Sequence, residues 1–188
     1  MDMLKKENVY KILFCFLVCG ILGWIFETII VWIIIGHLTD RGILFLSRIS
    51  NFPIVWGFPF ILIYAIGGVI LICGFKSLKN HPILLFLIGM VSMTIFELLS
   101  SYFCQYIMHK VYWDYSNEFM NFQGRISIRS AVVWGLLSLI SVKMFSPLLD
   151  RLYNKLNAKK MFNLLIMILF IYIIICSILR PFMFPELI

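Results

Sequence analysis

Long apolar runs broken by short polar connectors dominate the chain. Windows bounded by charge or proline predict five helices able to cross a bilayer core of about 30 Å, near residues 12–35, 53–75, 82–108, 128–145 and 161–179. The pattern predicts an all-α, polytopic integral membrane protein, with residues 1–188 forming one membrane domain. The fourth window is short and carries Ser130, Ser138 and Ser141, so a partly re-entrant path is also open there. The first window is too long for a cleaved leader and reads as an uncleaved first span. Between the last two windows, Leu and Tyr alternate with Arg and Lys at helical spacing across 147–160. That segment predicts an amphipathic connector on the cytoplasmic membrane surface.

Composition supports the membrane reading. Of 188 residues, 62% are hydrophobic and 13% charged, against about 25% charged in soluble domains. The net charge of +7 does not point to nucleic acid, because the basic residues sit in connectors and form no basic-aromatic recognition element. Lys5, Lys6, Lys11, Lys76, Lys79, Lys143, Arg151, Lys155, Lys159 and Lys160 fall on one side of the predicted spans. Arg41, Arg48, Lys110, Arg125, Arg129 and Arg180 fall on the other, and ten against six places the N-terminus in the cytoplasm. The five cysteines lie in or beside apolar runs without metal-ligand spacing, and His37, His81 and His109 sit at span ends. Neither a metal site nor a cofactor is expected.

Acidic residues inside spans cost at least a few kcal/mol on insertion scales and usually face a protein interior or cavity. Glu27 and Glu97 are two such residues. At 1.5 Å per residue they lie about 24 Å and about 22 Å along spans that start on the same side. A shared polar cluster in the outer half of the membrane follows, approached by Arg41, Asp114, Arg125 and Arg129 from outer connectors. Thr94, Glu97, Ser101 and Gln105 form one stripe on span three, and Ser130, Trp134 and Ser138 share a face of span four. Gly23, one turn below Glu27, permits close approach of a backbone or ligand. Glu27 with Arg41, or Glu97 with Arg125, reads equally as a buried ion pair that only fixes helix packing. The triplet Ile-Phe-Glu recurs at 25–27 and 95–97, and each half is followed by an Arg beside a Gly, Arg41-Gly42 and Gly124-Arg125. A parallel two-helix repeat across the first four spans would explain this, though three identical residues also fit coincidence.

The connector WDYSNEFMNFQGRISIRS, Trp113 to Ser130, is far more polar than its neighbours. As a plain loop, Asp114 and Ser116 would form a turn and a cap, and Gly124 a tight turn. The predicted topology suggests a lid or re-entrant element, with Trp113 and Tyr115 at interface depth and span four starting near Ile128. Arg125 is then expected within ion-pair reach of Glu27, Glu97 or Asp114.

A series of elements resembles a known family. Gly23–Glu27 (GWIFE), Arg41-Gly42, Pro53, Ile54, Trp56 and Gly57, then Glu97, Trp113–Ser116 (WDYS), Asn121 with Gly124–Ile126 (GRI), and Trp134-Gly135 occur in this order. The series is similar to the bacterial CmpB-like membrane proteins described as putative ABC-transporter type IV, over about residues 12–146. The segment SRISNFPIVWGFP departs from the family pattern, lacking a Gly-Pro pair and carrying Trp56 where tyrosine is usual. The resemblance implies a permease in the bacterial cell membrane. With no G-x-x-x-x-G-K-[ST] in this chain, an ATPase motor would be a separate cytoplasmic subunit.

The function expected is capture or transport of a small polar or zwitterionic solute. Its site would comprise Glu27, Arg41, Glu97, Trp113, Asp114, Tyr115, Ser116, Asn121 and Arg125. Two other classes stay open. One is a membrane-embedded enzyme on a lipid-linked substrate, with Asp114 or Glu97 as base and Arg125 holding a phosphate, though no catalytic triad motif is present. The other is a noncatalytic accessory or immunity subunit. Homo-oligomers are compatible with either.

Overall fold

The computed structural model describes residues 2–35, 44–45, 57–58, 60–107, 109, 111–157 and 161–183. Arg41, Arg48, Trp56 and most of the connector between α1 and α2 lie outside the described residues. The chain is an all-α membrane protein. Its helices are α1 (Asp2–Ile35), α2 (Leu62–Val69), α3 (Pro82–Tyr106), α4 (Ile128–Ile140), α5 (Ser146–Asn157) and α6 (Phe162–Met183). Three stretches, Val9–Ile29, Pro82–Tyr106 and Ile128–Asn157, are long and apolar enough to cross a bilayer. Leu62–Gly74 and Phe162–Ile175 are shorter apolar helices. Contacts divide the chain into one unit of Met1–Val69 with Asp150–Leu187 and another of Ile70–Leu149.

In the first unit α1 packs on α2 and α6. A Cβ at Gly20 would overlap the Phe60 ring and one at Gly23 would overlap Tyr64, so these glycines let α2 lie close against α1. The Ile61 amide donates to the Gly20 carbonyl at 3.1 Å, which seats the start of α2 partway along α1. Span two is therefore shorter than its apolar window. Leu62–Gly74 is only about 20 Å long at 1.5 Å per residue. Ahead of it, Gly57–Phe58 pairs antiparallel with Leu44–Phe45, which no periodicity announced. Such backbone pairing satisfies amides that an apolar setting would leave unpaired. On the α6 side, Phe14 meets Phe162 edge-on at 5.6 Å and Phe16 meets Phe170 at 5.4 Å. Tyr153 of α5, 1% exposed, stacks obliquely on Phe14 and bonds Asn163, whose amide reaches Asn157 at 2.6 Å. The basic-apolar connector is thus helical through Asn157, with its tyrosine buried against protein.

The second unit is built on α3 against α4. Every fourth residue of α3 from Leu85 to Ser101 is buried, Glu97 among them. The parallel row Ile83, Leu87, Val91, Ile95, Leu99 and Phe103 is exposed and forms an apolar stripe along α3. Gly89 lies against Ser138, and Gly135 against Phe86, which brings the two helices close. The helix that begins at Ile128 runs on through a π turn (Ser141–Phe145) into α5 and is helical through Asn157, past the close of the apolar window near residue 145. Pro147 lacks the N–H that an α-helical ladder would use there. In the widened turn the preceding amide, Ser146, donates to Ser141.

The halves correspond beyond the shared triplet. Tyr64 precedes Trp134 by the same interval that separates Glu27 from Glu97. A π turn follows α2 at Ile70–Gly74 as one follows α4 at Ser141–Phe145, and the two turns pack on one another within the second unit. These observations support a parallel two-helix repeat.

Candidate functional site

The second unit gathers the polar chemistry around α3. Glu97 is 6% exposed, and its carboxylate accepts two neutral hydrogen bonds. The Tyr115 hydroxyl donates to Oε1 at 3.0 Å and Trp134 Nε1–H to Oε2 at 3.1 Å. Among the described residues no cation lies within ion-pair distance of Glu97; nearby, exposed Arg129 pairs with Glu118 at 2.8 Å. Trp134 is itself placed by packing, because its carbonyl accepts from the buried Ser138 hydroxyl opposite Gly89.

One turn nearer the helix end, Arg125 meets only neutral groups. Its Nη1 donates to Ser101 Oγ at 2.9 Å, Nη2 to Gln105 Oε1, and Nε to Gln123 Oε1 at 3.4 Å. The guanidinium also lies 4.2 Å over the Tyr102 ring, whose hydroxyl bonds Gln123 at 2.8 Å. The expected ion pair of Arg125 with Glu97 or Asp114 is absent. Arg125 takes the next polar positions of the same helix row instead. Its five fixed donors suit several neutral oxygens.

Ser101 and Glu97 lie five and nine residues before the end of α3, roughly 8 and 13 Å inward. The 111–127 connector is therefore folded back along the helix. Its own polar residues maintain that shape. Asp114 Oδ1 accepts from the Ser116 amide at 2.8 Å and hydroxyl at 2.5 Å. These bonds, the hydroxyl's foremost, hold the Asp114 carboxyl below its usual range. The Asn121 amide group donates to the carbonyls of Ser116 and Glu118, and its oxygen accepts from the Gly124 amide. Trp113 Nε1–H donates to the Arg125 carbonyl at 2.9 Å, and the Tyr115 amide to the Gly124 carbonyl at 2.7 Å. Gly124 has φ +67°, and a Cβ there would meet Asp114 Oδ1 at 2.5 Å, so both conformation and space require glycine. Ser127 and Ser130 form a reciprocal cap that starts α4 at Ile128.

The sequence-derived site thus divides. Glu97, Tyr115 and Arg125 meet along α3, while Trp113, Asp114, Ser116 and Asn121 brace the connector. Glu27 belongs to the first unit, where the Tyr64 hydroxyl donates to it at 2.6 Å. Arg41 lies outside the described residues. Sequence reading passed over Tyr64 and Tyr102 and left Trp134 outside the site. The interval from Glu27 to Glu97, applied to Tyr64, would have pointed to Trp134. The described residues hold no group of three or more metal-ligating side chains.

A family model described as putative ABC-transporter type IV matches residues 14–179, a span that takes in the fifth helix as well as the motif-bearing four. The chain belongs to that family. Comparison with curated proteins and with solved structures gives no match.

Proposed function

We propose that this family member is a bacterial plasma-membrane permease that holds a small zwitterionic solute beside α3. One observation carries the reading. Glu97 and Arg125 occupy the same helix row with opposite charge, and each is held by neutral partners in place of the other. Glu97 and Ser101 are one turn apart, about 6 Å of rise. A solute with cationic and anionic groups separated by about that distance would give the carboxylate a counter-charge and Arg125 an anion for its fork. The connector, clasped through Tyr115 and Arg125, is the lid over this position. Its release would open the way in from the side that the charge bias makes the outer one. The driving ATPase is a separate subunit on the cytoplasmic side, where the N-terminus lies.

An enzyme using Asp114 as general base is less well supported. A carboxylate held below its usual range by Ser116 is a poor proton acceptor near neutral pH.

Retention of metabolites tests the proposal. Purified protein in nanodiscs is equilibrated with a polar cell extract, washed, and its bound small molecules are identified by mass spectrometry. A zwitterion retained by wild type and lost in both Glu97→Gln and Arg125→Gln is expected. Equal retention by all three proteins, or none by any, refutes the site.

A further inference from the structure

The connector between α3 and α4 has a second surface that the solute site does not use. Phe119 is 78% exposed, Met120 67% and Phe122 51%, in a segment where the Asn121 side chain bonds back to the backbone. Met120 and Gln123 hold φ of +50° and +54°, a left-handed conformation that costs a non-glycine residue roughly 1–2 kcal/mol. Asn121, between them, ties this backbone to Ser116, Glu118 and Gly124. The strained, braced turn displays three apolar side chains together.

We infer that Phe119, Met120 and Phe122 are inserted into the membrane leaflet at this end of α3, at the boundary between headgroups and acyl chains. Two observations identify lipid as the occupant. The connector lies alongside α3 and not beyond it, because Tyr115 reaches Glu97 and Arg125 reaches Ser101, about 13 and 8 Å inside the helix end. Its outward surface therefore stands at membrane depth. Phe103 at the end of α3 and the residues that follow it, Ile107 (65% exposed) and Val111 (68%), are exposed and apolar as well. The one charged pair nearby, Arg129 with Glu118, is satisfied and suits the headgroup level. The lid is in this way fastened twice, by hydrogen bonds to α3 and by apolar side chains to the bilayer. Lipid that thins or loosens this leaflet would release it more readily. The inference rests on the connector's fold and stands whether or not a zwitterion binds.

The Met120 methyl group reports its own surroundings. The chain, ¹³C-labelled at its methionine methyls, is placed in phospholipid nanodiscs, and the Met120 resonance is assigned by its loss in Met120→Leu. Paramagnetic lipid with the spin label at the top of the acyl chain is added to one sample, and a soluble gadolinium chelate to another. The expected result is loss of more than half of the Met120 intensity with the lipid label and retention with the chelate. Broadening by the chelate alone would place the turn in water. Broadening by neither would mean that a second copy or another protein covers it. Either outcome overturns the inference.

Discussion

Replacing Gly89 by alanine places a methyl group where Ser138 already stands. The built Cβ overlaps Ser138 Oγ and Cβ, with Ser138 Cα only 3.9 Å away. The hydroxyl could rotate aside, but the Cβ cannot move unless α4 does. Overpacking of this kind costs typically about 1–3 kcal/mol. Gly→Ala within a helix also gains up to about 1 kcal/mol of propensity, so a reference substitution is needed. Gly74→Ala supplies it, because nothing lies within 4 Å of a Cβ there. Gly89→Ala should melt lower than Gly74→Ala by roughly 2–12 °C, at about 2–4 °C per kcal/mol for a chain of this size. Because Ser138 bonds the Trp134 carbonyl, the displaced helix should also carry the indole away from Glu97 and change Trp134 fluorescence. The exchange Gly89→Ala with Ser138→Gly removes the side chain that the new methyl meets and should recover most of the loss. The assay is thermal unfolding followed by tryptophan emission in detergent. Equal melting of Gly89→Ala and Gly74→Ala, or a double variant worse than the single, would refute the close packing of α3 and α4.

Two further outcomes follow from the connector. Gly124→Ala meets both a left-handed backbone (φ +67°) and the Asp114–Ser116 turn, and should cost about 1–2 kcal/mol for conformation alone, seen as faster amide exchange at Tyr115 and Arg125. Asp114 is held below its ordinary value of 3.8, so its turn should be intact at neutral and mildly acid pH and lost only as the pH falls below that value, read from the Ser116 amide shift. Loosening already near pH 5 would contradict the Ser116 contacts.

The sequence made some features plain and hid others. Each apolar window holds a helix, three of them long enough to cross a bilayer, because hydrocarbon demands long runs without charge, and the serine at 127 with its partner at 130 set the start of α4 as expected near Ile128. Window edges misjudged span two, since Phe60 and Ile61 are as apolar as the helix they precede and their seat on Gly20 is a tertiary contact. Pro147 reads as a boundary by its missing N–H, yet the π turn before it carries the helix onward. Charge matching suggested that Arg125 would answer Glu97. The folded chain answers each with neutral donors and acceptors, and aromatic hydroxyl and indole partners leave no charge signal to read. The repeat was faint for a related reason. Tyr64 and Trp134 both donate to a glutamate on the preceding odd-numbered span, but tyrosine and tryptophan do not align as identities.

The central claim, that Glu97 and Arg125 take the two ends of one zwitterion, is tested most directly by a cycle that deletes charges on both sides. Affinities of wild type, Glu97→Gln and Arg125→Gln are measured by calorimetry for the retained solute, for its analogue without the cationic group, and for its analogue without the anionic group. Hydrogen bonds to charged groups contribute about 1.5–3 kcal/mol, so each single deletion should weaken binding roughly 10- to 100-fold. Glu97→Gln should then cost little more once the cationic group is gone, and Arg125→Gln little more once the anionic group is gone. Losses that simply add, whichever charge is removed from the solute, would show that neither residue touches it.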